Sequence, residues 1–171
     1  MDRSPPFALI ALAFALAGCG YRFAAGGGPL PENVTAVRAP VFVNHTAEPG
    51  LEAVFTRALR EQLMHAGVRA DPAAEAELRG EVLAVGGGAT ILTTPLPGGA
   101  EPRLASYRIF ATAKLKLMKG ERVLAETDVT GSEDYPPGFE DILRSESNRQ
   151  AALHRLAQRL MRDGYDRLIA R

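Results

Sequence analysis

Cys19 is the one cysteine among 171 residues, and a cysteine sulfur is the strongest nucleophile the chain carries. It can form no disulfide within the chain, and a lone thiol in an exported protein needs a chemical reason. The other candidates are weaker. The spacing of His45, His65 and His154 suits no metal-ligand motif, and with no second cysteine a zinc site is not expected. The pairs Glu133-Asp134 and Glu140-Asp141 lie near a loop and a helix start. Solvation and capping account for them there, against the competing reading of catalytic carboxylates. No Gly-x-Ser-x-Gly elbow occurs, and no Ser/His/Asp order can be defended. Gly86-Gly87-Gly88 lacks the Lys-Ser/Thr of a phosphate-cradling loop and opens no helix. No catalytic residue, metal ligand or cofactor is therefore expected. The chain reads as a binding or scaffolding protein and not as an enzyme.

Cys19 closes an N-terminal segment of distinct composition. Phe7 to Ala17 is an unbroken apolar run, too short for a bilayer span of about 20 residues but suited to the core of a secretory signal. Arg3 precedes it, with Asp2 offsetting the charge. The run ends in Leu16-Ala17-Gly18-Cys19, which resembles the lipobox of bacterial lipoproteins: an apolar residue, two small residues, then cysteine. The resemblance implies a signal peptide over residues 1–18, a diacylglyceryl group on the Cys19 thiol, and an acyl chain on the amine freed by cleavage. At about 0.8 kcal/mol per buried methylene, two or three chains hold a protein at a membrane essentially permanently. In lipoproteins of enteric-type bacteria, Asp after the cysteine favours the inner membrane. Here Gly20 follows, so the expected location is the outer membrane, lipid-anchored on its periplasmic side. An ordinary signal peptide with an incidental cysteine is the alternative.

The rest of the chain must position whatever surface this anchor serves. Residues 19–31 read as the lipidated cysteine and a flexible tether, rich in Gly and Pro around 26–31. Residues 32–171 read as a single α+β domain. Val34 to Val43 is β-branched and predicts a first strand. Pro49 suits a first helical turn, and Leu51, Val54, Phe55, Ala58, Leu59 and Leu63 form one apolar helical stripe. Gly67 is a candidate C-cap. Leu78 to Val85 predicts a second strand, with the glycine triplet as a bulge or bend before Ala89 to Thr93. Pro95 to Pro102 reads as a loop. Tyr107 to Leu117 alternates strictly: Ile109, Ala111, Ala113, Leu115 and Leu117 point one way, and Arg108, Phe110, Thr112, Lys114 and Lys116 the other. A turn at Lys119-Gly120-Glu121 and a resumed period of two predict a long hairpin. A last helix is expected from about Phe139 to Leu168, with Ile142, Arg149, Leu153, Leu156, Leu160 and Tyr165 on its buried side.

The order is β-α-β-β-β-α. It predicts a two-layer sandwich: a four-stranded, mostly antiparallel sheet with two amphipathic helices on one face. The other face stays open, with polar or basic residues. Twenty basic against twenty acidic residues argue against a non-specific grip on nucleic acid, and the absence of Trp argues against a base-stacking platform.

Two stretches carry a further resemblance. One is Leu16-Ala17-Gly18-Cys19-Gly20-Tyr21-Arg22-Phe23. The other is Val41-Phe42-Val43-Asn44-His45-Thr46, then Glu48-Pro49-Gly50-Leu51-Glu52 and the helix ending Leu59-Arg60-Glu61-Gln62-Leu63. With Ala76-Glu77-Leu78-Arg79-Gly80 and the hairpin, nearly the whole mature chain resembles the lipopolysaccharide-assembly lipoprotein family LptE. The resemblance implies a sandwich that plugs a large outer-membrane β-barrel translocon (LptD-like), assists its assembly, and binds lipopolysaccharide. It also implies basic side chains near the sheet's loops for the lipid's phosphates; here the candidates are Arg103, Arg108, Lys114 and Lys116. A merely solvated strand face is the competing reading for these four. The opening strand and helix also look like those of other outer-membrane lipoproteins, namely secretion-channel components and peptidoglycan-synthase activators.

Overall fold

Alternation over residues 107–117 produces the strand on which the domain is built. The computed structural model describes residues 28–92, 103–138 and 141–170; Cys19, the signal segment, the Pro95–Pro102 loop and Phe139-Glu140 lie outside them. The elements are β1 (Ala36–Val37), β2 (Val43–Asn44), α1 (Leu51–His65), β3 (Arg69–Ala70), β4 (Ala76–Leu92), β5 (Arg103–Lys119), β6 (Arg122–Tyr135) and α2 (Ile142–Ile169). Four strands form one sheet in the order β2-β4-β5-β6, with β2 parallel to β4 and the rest antiparallel. β1 and β3 form a separate parallel pair. This is the mostly antiparallel α+β sandwich that the sequence predicts.

Both helices lie on one sheet face. The inward residues of β5 (Ile109, Ala111, Ala113, Leu115 and Leu117) are each at most 1% exposed. Against them pack Phe55, Leu59 and Leu63 of α1 and Leu156, Leu160, Tyr165 and Leu168 of α2. Burying each large side chain contributes about 1.5–3 kcal/mol relative to exposure. Small residues set the close approaches. Gly164 lets α2 lie on the sheet, since a Cβ there would stand 2.6 Å from Leu115 Cδ1. Gly80 receives the ring of Phe42, which a Cβ would meet at 2.1 Å; Phe42 also packs on Phe55, ring centroids 5.9 Å apart.

The structure departs from the sequence expectations in four places. The first strand, expected over 34–43, is two short pieces. Pro40 interrupts it, because proline has no N–H to give a ladder. The segment still runs along β4 on either side, with Arg38 N–H donating to Ala76 O (2.8 Å) and His45 N–H to Val82 O (3.0 Å). The glycine triplet neither bends nor bulges; it continues β4, and the register shifts fall on either side, at Val82/Ala84 and Thr90/Ile91. Phe110 covers Gly86 from the neighbouring strand, where a Cβ would stand 2.3 Å from its ring. The last helix starts at Ile142, capped by Asp141, whose carboxylate accepts the Arg144 N–H at 3.0 Å. Ile142 was expected on the buried side but is 83% exposed: β6 ends at Tyr135, and the first turns of α2 overhang it.

The fourth departure concerns the tether. From Gly28 on it is docked, not loose: Tyr165 donates its hydroxyl to Gly28 O at 2.9 Å, Leu30 is 1% exposed, and Arg122 pairs with Glu32 at 2.6 Å. The chain therefore enters the domain at the β5–β6 turn, beside the C-terminal end of α2.

Candidate functional site

The face of the sheet turned away from the helices is uncovered among the described residues. Its side chains come from alternate positions of β4, β5 and β6, and the register sets them in rows across the strands. One row is Arg79, Lys116 and Glu126. The next is Glu81, Lys114 and Asp128, followed by Ala84, Thr112 and Thr130, then Gly86, Phe110 and Ser132, then Gly88, Arg108 and Asp134.

The expected basic face is in fact a face of alternating charge. Lys114 Nζ lies 3.4 Å from Glu126 Oε1 and 3.9 Å from Asp128 Oδ1, and Lys116 Nζ lies 3.5 Å from Glu126 Oε2. Arg108 grips Asp134 through two parallel bonds, Nε to Oδ1 at 2.6 Å and Nη2 to Oδ2 at 2.8 Å. Glu77 receives Arg79 at 2.7 Å and also Arg38, and His45 Nε2 lies 3.0 Å from Glu81 Oε2. The acids that pair with Arg108, Lys114 and Lys116 were invisible from β5 alone because they sit on β6, 10 to 26 residues away.

Titration follows these contacts. The Arg79 and Arg38 guanidiniums bonded to Glu77 hold its carboxyl at about 2. The hydrogen bond from Arg108 lowers the Asp134 carboxyl. The Lys114 ammonium is raised chiefly by its bond to Glu126, and Glu126 is lowered by the same bond. All these groups are charged at neutral pH, and each base faces an acid, so the surface is highly polar yet has no strong field of one sign.

Of the four basic candidates, the fold brings Lys114 and Lys116 together. Arg108 stands six residues from Lys114 along β5, about 20 Å at strand rise. Arg103 opens β5 opposite Leu92, farther still toward the same end. The four therefore line the length of the hairpin and do not form one cluster. The threonines between them, Thr112 and Thr130, bond each other through their hydroxyls at 3.0 Å.

A second constellation sits where β2 meets α1. Asn44 donates from Nδ2 to Glu48 O (2.7 Å) and Glu52 Oε2 (3.1 Å), while its Oδ1 accepts the Thr46 N–H (3.0 Å) and hydroxyl (2.8 Å). Glu48 then receives Nη2 of Arg149 on both carboxylate oxygens, each at 2.6 Å. This pair joins the loop before α1 to α2 across 101 positions of sequence. The placement of Arg149 on the inner side of the last helix was its one sequence signal; nothing marked Glu48 as its partner. The motif Asn44-His45-Thr46 and Glu48 to Glu52 thus encodes a self-bonded loop, with no nucleophile and base in contact. Among the described residues, no group of three His, Cys, Asp or Glu side chains is placed to hold a metal ion. No described helix is long and apolar enough to cross a membrane.

Among the solved structures that resemble the chain are three that cover most of it. A protein described as a lipoprotein from Caulobacter crescentus CB15 aligns at TM-score 0.52 and 13% identity, covering 75% of this chain and 88% of its own. The hypothetical protein CT253 from Chlamydia trachomatis aligns at TM-score 0.52 and 13% identity, covering 79% and 95%. Rare lipoprotein B from Shewanella oneidensis aligns at TM-score 0.46 and 15% identity, covering 79% and 91%. At such identities the first two show a shared fold. No curated protein sequence matches the chain. The family model for LptE, described as lipopolysaccharide-assembly, matches residues 34–168, from the first predicted strand to the end of α2. That match spans well over half of the chain and takes in the whole sandwich: the chain belongs to the LptE lipopolysaccharide-assembly family.

Proposed function

We propose that this protein is an outer-membrane lipoprotein, acylated at Cys19, that seats its open sheet face inside a large LptD-like β-barrel. There it assists the barrel's assembly and contacts lipopolysaccharide on its way to the outer leaflet. The observation that supports this reading is the uncovered face itself. The lumen of such a barrel is polar. A surface whose ions are already paired, with Val43 and Phe110 as exposed large apolar side chains, can enter it without a large apolar patch to hide beforehand and without a net charge to strip of its counterions.

Lipopolysaccharide phosphates would be met by Lys114 and Lys116, with Arg103 and Arg108 toward the far end of the hairpin. The lysine contacts, 3.4–3.9 Å long, are loose enough for a phosphate oxygen to replace a carboxylate. The Arg108 fork is the tighter pair and the harder to exchange.

Crosslinking pull-down from native membranes tests the proposal. A photoreactive residue at Thr112 should give a stoichiometric adduct with one large barrel protein. Recovery of peptidoglycan enzymes or a homo-oligomeric ring in its place would refute it. For the lipid, Lys114→Asp with Lys116→Asp should weaken lipopolysaccharide binding; unchanged binding would remove both from the site.

A further inference from the structure

The two long edges of the sheet are treated differently. β6 carries Arg122, Glu126, Asp128, Glu133 and Asp134 along its length, the usual protection of an exposed edge. β4 is guarded only in its first half, where residues 38–45 run beside it as far as the His45–Val82 bond. From Ala84 to Leu92 nothing described pairs with its outer side. That stretch reads Ala-Val-Gly-Gly-Gly-Ala-Thr-Ile-Leu, with no charge and no proline, and its Gly87, Gly88 and Ala89 are exposed.

Its backbone polarity can be worked out. Ala76, Leu78 and Val82 turn their peptide groups outward, to Arg38 and His45. The register then advances three residues on β4 (Glu81 to Ala84) for two on β5 (Lys114 to Thr112). One inserted residue moves the outward role from even to odd positions. Val85, Gly87 and Ala89 therefore present their N–H and C=O groups to the open edge. Unpaired strand edges of this kind accept an added strand.

Resting on the plug reading above, we propose that this half of β4 receives an extended segment of the barrel partner by strand addition. A second copy of this chain is the poorer occupant. A symmetric pairing about Gly87 would bury only a few small residues, far below the roughly 1,000 Å² of a stable dimer. The barrel supplies the missing area, because the edge is continuous with the open face that it meets. Gly88 has nothing within 4 Å of where its Cβ would lie. The incoming strand can therefore place a bulky or aromatic side chain over it, as Phe110 does over Gly86.

The test uses the full lipoprotein expressed with its barrel. Ala89→Pro removes one outward N–H and no internal bond, so the purified domain should melt as wild type. Barrel recovery at limiting expression should fall about two- to tenfold, the worth of one hydrogen bond. Ala89→Val keeps the N–H and should recover barrel normally. A photoreactive residue at position 89 should give a barrel adduct. Full recovery with Ala89→Pro and no adduct at 89, while Thr112 still crosslinks to the barrel, would overturn the edge proposal and leave the plug intact. An adduct at 89 of twice the chain's mass would overturn it in favour of self-pairing. Loss of adducts at both positions would overturn both readings.

Discussion

Phe42 and Gly80 offer a direct test of how the guarded half of β4 is built. Phe42 is 3% exposed, its ring fills the place of the missing Gly80 side chain, and its N–H donates to Thr56 Oγ1 at 2.9 Å. Phe42→Ala empties that space and should cost about 3–5 kcal/mol, including part of the contact with Phe55. Gly80→Ala in the wild type drives a methyl into the ring and should cost about 1–3 kcal/mol. In the Phe42→Ala background the same methyl enters a vacated space and should cost nothing or stabilise slightly. The two changes should therefore be strongly non-additive, with a coupling of at least about 1 kcal/mol. Urea unfolding of the soluble domain (residues 28–171) for the four variants measures it. Additive losses, or a Phe42→Ala cost under about 1 kcal/mol, would refute the packing account.

Glu48→Ala should destabilise the domain by about 1–2 kcal/mol, between the values for exposed and buried pairs, because it leaves the half-buried Arg149 with only its longer contact to Glu146 at 3.8 Å. Arg149→Ala on top should add little, and a double-mutant cycle in chemical denaturation checks this. Glu77 makes a pH prediction. Its folded-state carboxyl lies at about 2, below the usual 4.5. Its stabilisation is therefore complete above pH 4.5 and is lost as pH falls from there toward 2. Glu77→Gln should flatten that part of the stability curve, as followed by circular dichroism. Cys19→Ser should yield a chain that lacks acyl mass in mass spectrometry and leaves the membrane fraction.

Much of the sandwich is legible in the sequence because its elements obey local rules. The β5 alternation needs only the pleat, and the α1 stripe from Leu51 to Leu63 needs only the helical period. What escaped depends on register or on where an element ends. The basic reading of Lys114 and Lys116 looked along one strand, while their carboxylates stand across two others. Ile142 fits the period of the last helix, but burial requires a sheet beneath it, and β6 stops short. The glycine triplet reads locally as a bulge or bend, but pairing with Phe110, Ile109 and Arg108 of β5, at least 20 residues on, keeps it in strand. Glu48 and Arg149 meet only after the whole domain has closed.

The docking of Gly28 against Tyr165 fixes the end of the domain from which the N-terminal segment departs. Helix α2, 28 residues long, measures about 42 Å at 1.5 Å per residue, and the chain enters beside its final turn. With an acyl group on Cys19, the stretch from there to Gly28 reaches no more than about 32 Å. On the proposed anchor, the β5–β6 turn would lie within that reach of the membrane surface, while the opposite rim, with Arg103, Tyr107 and the opening of α2, stands a helix length farther along the domain. A bilayer's hydrocarbon layer is about 30 Å thick. Under the proposed barrel seating, a rod of about 42 Å outspans that layer, so a domain anchored at one leaflet would carry its far rim to the level of the other.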